Sequence, residues 1–360
     1  TKERPAMTST DAAALPRSRP FDMPIKGDKY HIFQPLYDLG QAVRRDLPLI
    51  APPQAFISAL EYHLNWVMPL INNQDENTRS MKPNEHAVFA YFEILKSIVS
   101  ATAFNDAELS IDTPQNNVKN IGTHFNLELR KLGRDFTFLG ATMSGWKRLD
   151  NVRNLLTHVI QNNVPGDYIE TGVWRGGSSV FARAVITAFG EQEERVSYVC
   201  DSFAGLPPGD RKLDLQDKNW NNRKYLEVPY EIVAHNFLKH GVLDKNVVFV
   251  QGFFNDSMVP LSKEIKSLSI MRLDGDMYES TVDVLYRLYD KLSIGGYVII
   301  DDWFGFPART ACEDFFKVHG ISPEIVVIDQ YAVYWKKTEE VNIQHWRYEQ
   351  SKYKVPHKFF

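Results

Sequence analysis

The stretch Val164-Pro-Gly-Asp-Tyr-Ile-Glu-Thr-Gly-Val-Trp-Arg-Gly-Gly-Ser178 reads as a buried strand, an acidic residue, a glycine turn and a helix start. Such a corner suits a nucleotide-like ligand: Glu170 falls at the carboxyl end of the strand, and Gly172 lets the backbone turn tightly and pass close to a ligand. Gly176 and Gly177 are expected to open the next helix with free N–H groups. Details exclude the two commonest owners of this corner. A dinucleotide fingerprint needs glycine where Trp174 stands, and a Walker loop, matched from Gly172 to Gly177, needs lysine where Ser178 stands. An acidic residue without a phosphate-binding lysine points instead to a cationic or hydroxyl-rich ligand.

S-adenosylmethionine is such a ligand, since its methionyl ammonium wants a carboxylate and its ribose a second one at the end of the next strand. Val196-Ser-Tyr-Val-Cys200 is a short β-branched and aromatic run that ends at Asp201, about 30 residues beyond Glu170. That exceeds the ~20 usual for the ribose acid of a dinucleotide fold, and a turn from Gly190 to Glu194 accounts for the excess. Helix capping explains either acid alone, but less well both acids at two strand ends beside one glycine turn.

From about Arg148 strands alternate with helices, the signature of a parallel sheet. The strand candidates are Asp167 to Glu170, Val196 to Cys200, Val247 to Val250, Ser269 to Leu273 and Tyr297 to Ile300. Two more, Pro323 to Ile328 and Tyr331 to Trp335, are separated only by Asp329 and Gln330, a link so short that it makes an antiparallel hairpin. The expected fold is therefore α/β: a Rossmann-like, doubly wound sheet with a C-terminal antiparallel hairpin, as in class I methyltransferases.

A second, acidic constellation lies at two of these strand ends. Asp274-Gly275-Asp276 follows Leu273, and Asp301-Asp302 follows Ile300. Carboxyl ends of neighbouring strands face one crevice, so the four carboxylates should converge. Unpaired, they would raise one another's pKa unless a divalent cation neutralised them. An all-oxygen set favours Mg²⁺. Capping accounts for one Asp but poorly for a DxD and a DD pair on separate strands.

Upstream, residues 1–27 carry Pro5, Pro16, Pro20 and Pro24 without periodicity and read as a flexible tail. Residues 28–135 read as a mainly helical auxiliary domain, expected to cover the acceptor side or to form a homo-oligomer interface. Its apolar positions at helical spacing are Phe56, Leu60, Leu64, Val67 and Ile71, then Val88, Tyr91, Leu95, Ile98 and Val99 behind an Asn84 cap. Asn72 to Asn77 and the segment around Asn105 to Asn120 read as loops. Residues 136–360 form the ligand-binding domain.

Of the 360 residues 44% are hydrophobic, ample for a packed core, and a formal net charge of -4 gives no basic footprint for nucleic acid. Cys200 and Cys312 cannot build a disulfide framework and read as core thiols of a reduced compartment. No apolar run approaches the ~18 residues of a membrane span, and no hydrophobic signal region opens the chain. The expectation is a soluble, cytoplasmic protein. The first residue is Thr1, as in a chain trimmed or cut from a longer one.

The chain from about Thr142 resembles the macrocin O-methyltransferase (TylF-type) family. The matching segments are Thr142-Met143, Lys147-Arg-Leu-Asp-Asn151, Gly166 to Gly177, Asp201-Ser-Phe-Ala-Gly-Leu-Pro207, Arg272-Leu-Asp-Gly-Asp-Met-Tyr-Glu-Ser-Thr281 and Ile299-Ile-Asp-Asp302. The resemblance implies S-adenosylmethionine- and Mg²⁺-dependent methylation of a natural-product hydroxyl, with Asp274, Asp301 and Asp302 as metal ligands and Asp276 as general base. It further implies that Glu170 and Gly172 bind the methionyl portion, Asp201 the ribose, and the Gly252-Phe-Phe-Asn-Asp256 turn the adenine. Thr142, Met143, Thr171, Gly177, Ser178, Ser202, Phe253 and Asp274 complete the implied cofactor set. Two positions depart from the usual pattern: Trp303 follows the DD pair where tyrosine is common, and Phe253 replaces a tryptophan.

An aspartate alone is a weak base for an alcohol, so this chemistry calls for a cation that lowers the acceptor's pKa. A vicinal diol, on a sugar or a catechol-like ring, would fill the open coordination positions of such an ion. His235 and His240 are rival bases, read as structural or solvent-facing. Trp174, Tyr278 and Trp303 are read as either pocket lining or core. Two other classes stay open: a different transferase or oxidoreductase on a similar sheet, disfavoured by the missing GxGxxG, and a silent S-adenosylmethionine-binding scaffold, which would have no physical need of four converging carboxylates.

Overall fold

The computed structural model describes residues 83–346 except 105, 107–108, 112–117, 122–124 and 208–223, together with Tyr348. The tail over 1–27 and the helical periodicity from Phe56 to Ile71 lie outside the described residues. In chain order the elements are α1 (Pro83–Val99), β1 (Leu109–Ile111), β2 (Val118–Ile121), α2 (Leu127–Leu132), α3 (Trp146–Gln161), β3 (Asp167–Thr171), α4 (Gly177–Ala188), β4 (Ser197–Asp201), α5 (Tyr230–Lys239) and β5 (Val247–Gln251). There follow α6 (Phe254–Glu264), β6 (Leu268–Leu273), α7 (Tyr278–Leu288), β7 (Leu292–Ile300), α8 (Ala308–His319), β8 (Val326–Val327) and β9 (Val333–Lys336).

Seven strands form one sheet in the order β5-β4-β3-β6-β7-β9-β8. The first five are parallel, and β9 pairs antiparallel with both β7 and β8. All five parallel strands stand where the periodicity put them, and the antiparallel hairpin forms, but its first strand shrinks to Val326–Val327 and its link lengthens from the two residues expected to five, 328–332. Strand alternation sends Tyr168, Val199, Ile270 and Ile299 to one face and Ile169, Cys200, Met271 and Ile300 to the other. The first face is covered by α1, α3, α4 and α5, the second by α6, α7 and α8. Both cysteines are free and buried.

Two local readings are corrected. The segment 105–120 contains β1 and part of β2, paired antiparallel with each other, where a loop was expected: three- and four-residue strands are too short to show an alternating pattern. Asn84 does not precede α1 but stands inside it, because Pro83 occupies the first helical position, where its missing N–H costs nothing.

The apolar stripe of α1 enters the main core. Phe92, Leu95 and Val99 are buried there, with the Phe92 ring 6.2 Å from that of Phe181 on α4. Phe92→Ala should therefore cost about 3 to 5 kcal/mol of stability in urea denaturation. A loss below about 1 kcal/mol would place α1 outside the cooperative unit.

Candidate active site

β3 pairs with β4 on one side and β6 on the other, so the order reverses there, and the carboxyl ends of the strands open into a cavity of 740 Å³. This is the topological switch point of a doubly wound sheet, where ligands bind, and its size lies within the ~300–1,000 Å³ of small-molecule sites. Of the residues expected at the site, Thr142, Met143, Glu170, Gly172, Ser178, Asp201, Ser202, Phe253, Asp274, Asp276, Asp301 and Asp302 line it. Thr171, Gly177 and Gly252 stand behind the wall and hold its frame. The Thr171 carbonyl accepts from the Asp274 amide at 2.8 Å, and the Gly252 amide donates to the Asp201 carbonyl at 2.9 Å.

The glycine corner works differently from the sequence expectation. Gly177 N–H is not free but donates to the Ala141 carbonyl at 2.8 Å, and Gly176 N–H donates to Val173 at 2.7 Å. A side chain on Gly177 would collide with the Ala141 backbone at 2.5 Å. The helix start thus serves to dock the Ala141–Thr142 segment, whose threonine hydroxyl lies 3.1 Å from that of Ser178. Gly172, at φ 87°, allows a still closer approach, since a Cβ there would fall 1.7 Å from the Asp274 carbonyl oxygen. Only glycine lets the two acidic strand ends meet.

The acids occupy distinct environments. Asp201 accepts from the Val173 amide at 2.8 Å and the Phe203 amide at 2.9 Å, which fixes its carboxylate at the β4 end; burial raises its pKa despite those bonds. Glu170 is buried and accepts from Tyr168 Oη at 2.7 Å, Ser179 Oγ at 2.5 Å and Arg272 Nη1 at 2.7 Å. Arg272 faces it because the β3–β6 register sets the two residues opposite one another. The same guanidinium donates to Asp274 Oδ2 at 2.8 Å and to Asp301 Oδ1 at 2.5 Å. Arg148, near the start of α3, takes the other Asp301 oxygen and lies 3.0 Å from Asp329 Oδ2.

Carboxylate oxygens of Asp274, Asp301 and Asp302 lie within 4.8 Å of one another. Asp276, at φ 56°, turns its amide to Asp302 Oδ2 at 3.1 Å. Burial, then repulsion from Asp301, pushes Asp274 up to about 7. Burial and the charges of Asp276, Asp274 and Asp301 push Asp302 well above the carboxylate range. Burial would raise Asp301 too, but Arg148 and Arg272 outweigh it and hold its carboxyl low.

Sequence reasoning gave no role to these two arginines. Arg272 interrupts the apolar run Leu268 to Leu273, and a charge inside a fully buried strand was the available signal. Arg148 lies in the matching segment Lys147–Asn151, but nothing local pointed to its partner. It is placed by Gly133 at the end of α2, where a Cβ would meet Arg148 Nη2 at 2.5 Å. Two more arginines shape the wall from 133 to 142: Arg130 pairs with Asp106 at 3.0 Å and Asp135 at 2.7 Å, and Arg175 donates to Phe138 and Gly140 carbonyls at 2.8 and 2.9 Å.

Trp174 lines the cavity and donates to the Tyr225 carbonyl at 2.8 Å, whereas Tyr278 and Trp303 belong to the core beneath it. Neither histidine reaches the site. His235 is exposed, and His240 Nδ1 lies 2.6 Å from the Asn236 carbonyl.

A family model described as Macrocin-O-methyltransferase (TylF) matches residues 89–337. The chain belongs to that family. It is 37% identical to demethyldecarbamoylnovobiocin O-methyltransferase of Streptomyces niveus, over 69% of this chain and 93% of that protein. It is 39% identical to the 8-demethyl-8-(2,3-dimethoxy-alpha-L-rhamnosyl)-tetracenomycin-C 4'-O-methyltransferase of Streptomyces olivaceus, over 71% of this chain and 95% of that one. The solved structure of the O-methyltransferase NovP superposes with a TM-score of 0.64 at 35% identity, covering 70% of this chain and all of NovP. This macrocin O-methyltransferase family member is accordingly an O-methyltransferase on a class I fold, for which S-adenosylmethionine is the methyl donor. No described helix is long and apolar enough to cross a membrane.

With its carboxylates unliganded, the folded state keeps a proton on Asp274 up to about pH 7, whereas the unfolded chain releases it near 3.8. Stability from this group is therefore present at low pH and lost as pH rises through 7. Asp274→Asn, which mimics the protonated acid, should melt above the parent in chelator at about pH 8, by on the order of 5 °C. The gap should narrow as the pH is lowered through 7 toward 4; a constant gap would show that Asp274 is ionised throughout.

Proposed function

We propose that this enzyme transfers the methyl group of S-adenosylmethionine to one hydroxyl of a vicinal diol on a glycosylated natural product, with a divalent cation, Mg²⁺, held by Asp274, Asp301 and Asp302. The carrying observation is the convergence of those three carboxylates within 4.8 Å, in the same cavity as Glu170 and Asp201. The donor set fits a hard cation: it is all oxygen, and two of the acids are pushed up by burial and by like charge, the strain that a cation relieves. The name of one relative, a rhamnosyl-tetracenomycin 4'-O-methyltransferase, favours a sugar hydroxyl.

Glu170 and Asp201 would hold the methionyl ammonium and the ribose, with Phe253, Phe254 and Asn255 beside the adenine. When bound, the cation would orient the acceptor oxygens and lower the pKa of the reacting hydroxyl. Asp276 receives the hydroxyl proton as the oxygen–methyl bond forms and the sulfonium–methyl bond breaks, leaving S-adenosylhomocysteine. Its backbone is fixed by the bond to Asp302, and its carboxyl is outside the three-oxygen cluster. Alignment of donor and acceptor in the walled cavity supplies much of the remaining acceleration. The helical region before residue 136 would shape the acceptor side or a homo-oligomer interface.

Transfer of labelled methyl from S-adenosylmethionine to a panel of diol-bearing glycosides and catechols tests this reading. Asp302→Asn should bind Mg²⁺ more weakly in calorimetry and recover activity at high Mg²⁺. Asp302 is the better probe than Asp301, whose loss would also strand two arginines. Asp276→Asn should keep cofactor and cation binding but lose about 10²-fold or more in kcat. Near-parental turnover in Asp276→Asn would assign the base elsewhere.

A further inference from the structure

Two buried arginines take no part in the proposed proton transfer. Arg272 is 1% exposed and Arg148 7%. Both lie against the carboxylates that would hold the cation. Arg272 contributes Nη1 to Glu170 and Asp274, and Nη2 to Asp301 and to Ser144 Oγ at 3.0 Å. Arg148 binds the second oxygen of Asp301 and approaches Asp329. A metal site assembled only from acids would be held apart by its own repulsion until the ion arrived. Here Asp301 is clamped at both oxygens, and Asp274 at one, by fixed positive charge.

Resting on the cation reading above, we propose that Arg272, assisted by Arg148, is a positioning residue that stands in for part of the cation's charge. It keeps the acidic cluster assembled before the ion binds, and it weakens the ion's grip by competing for the same carboxylates. The guanidinium cannot withdraw, because Glu170, Ser144 and the strand register fix it from behind. The cation is thus an exchangeable occupant of a preformed site. Asp302 receives no arginine among the bonds of the cluster and instead accepts the Asp276 amide, so it supplies the oxygens with least competition.

The test is Mn²⁺ binding by calorimetry at about pH 8 in the parent and in Arg272→Met, Arg272→Lys and Arg148→Met, with melting curves in chelator and in Mn²⁺. Removing a unit charge this close to a divalent ion should tighten binding by about tenfold or more in Arg272→Met. That variant should melt below the parent in chelator and gain more from Mn²⁺. Arg272→Lys keeps the charge and should bind within about threefold of the parent. Tighter binding by a less stable protein is a direction that structural damage alone does not produce. Arg148→Met should move the same way by a smaller factor, and decides the matter if Arg272→Met fails to fold. Unchanged or weaker Mn²⁺ binding in the methionine variants, with the parent binding normally, overturns the proposal. No Mn²⁺ binding in the parent or any variant removes the cation reading itself, and the proposal with it.

Discussion

The Arg272 guanidinium, buried among Glu170, Asp274 and Asp301, is the interaction on which the site is built. Removing these charges from water costs several kcal/mol for each ion, and that cost is offset only when every charge finds well-placed partners. Here the partners come from β3, β6 and β7, so the register of three parallel strands is tied to the geometry of one cation. A slip of one residue between β3 and β6 would turn Arg272 to the opposite face, among Ile169, Met271 and Ile300, and leave Glu170 without it.

Close backbone contacts then bring the charged strand ends together. Gly172 admits the Asp274 carbonyl where no other residue could. Gly177 admits Ala141, and Gly133 admits both Arg148 and the Gly145 amide. Gly172 thus joins two strand ends, Gly177 ties the start of α4 to the segment 133–148, and Gly133 lets that segment, which walls the cavity on one side, close on itself. That segment is itself held by Arg130 and Arg175. The hairpin between β8 and β9 completes the far side: Tyr331 lines the cavity, and Asp329 pairs with Arg148.

The result is one cavity with two electrical characters. Around Glu170 and Asp201 the carboxylates are bonded to backbone amides, hydroxyls and Arg272, and stand as fixed acceptors. Around Asp274, Asp276 and Asp302 carboxyl groups crowd one another, and the pKa values of Asp274 and Asp302 rise. Perturbed acids of this kind cluster at functional sites. The first half suits a cofactor bearing an ammonium and hydroxyls, the second a cation and an acceptor that gives up a proton.

The sequence by itself determined the five parallel strands of the main sheet, their alternation with helices, the closing hairpin and the acids at the strand ends, but not the short β1–β2 pair. These depend on short-range periodicity and on the position of Asp and Glu just after apolar runs, such as Asp274 after Leu273 and Asp301 after Ile300. It did not determine how those acids are neutralised. Arg148 lies more than 100 residues from its partner Asp301, and the pairing exists only because α2, α3 and the hairpin pack at one end of the sheet. The glycine corner shows the same limit: φ freedom was readable at Gly172, but whether a ligand or another backbone fills the space it leaves was not. Tertiary structure decided that, because close approach and charge pairing are set by which distant segments the core brings face to face.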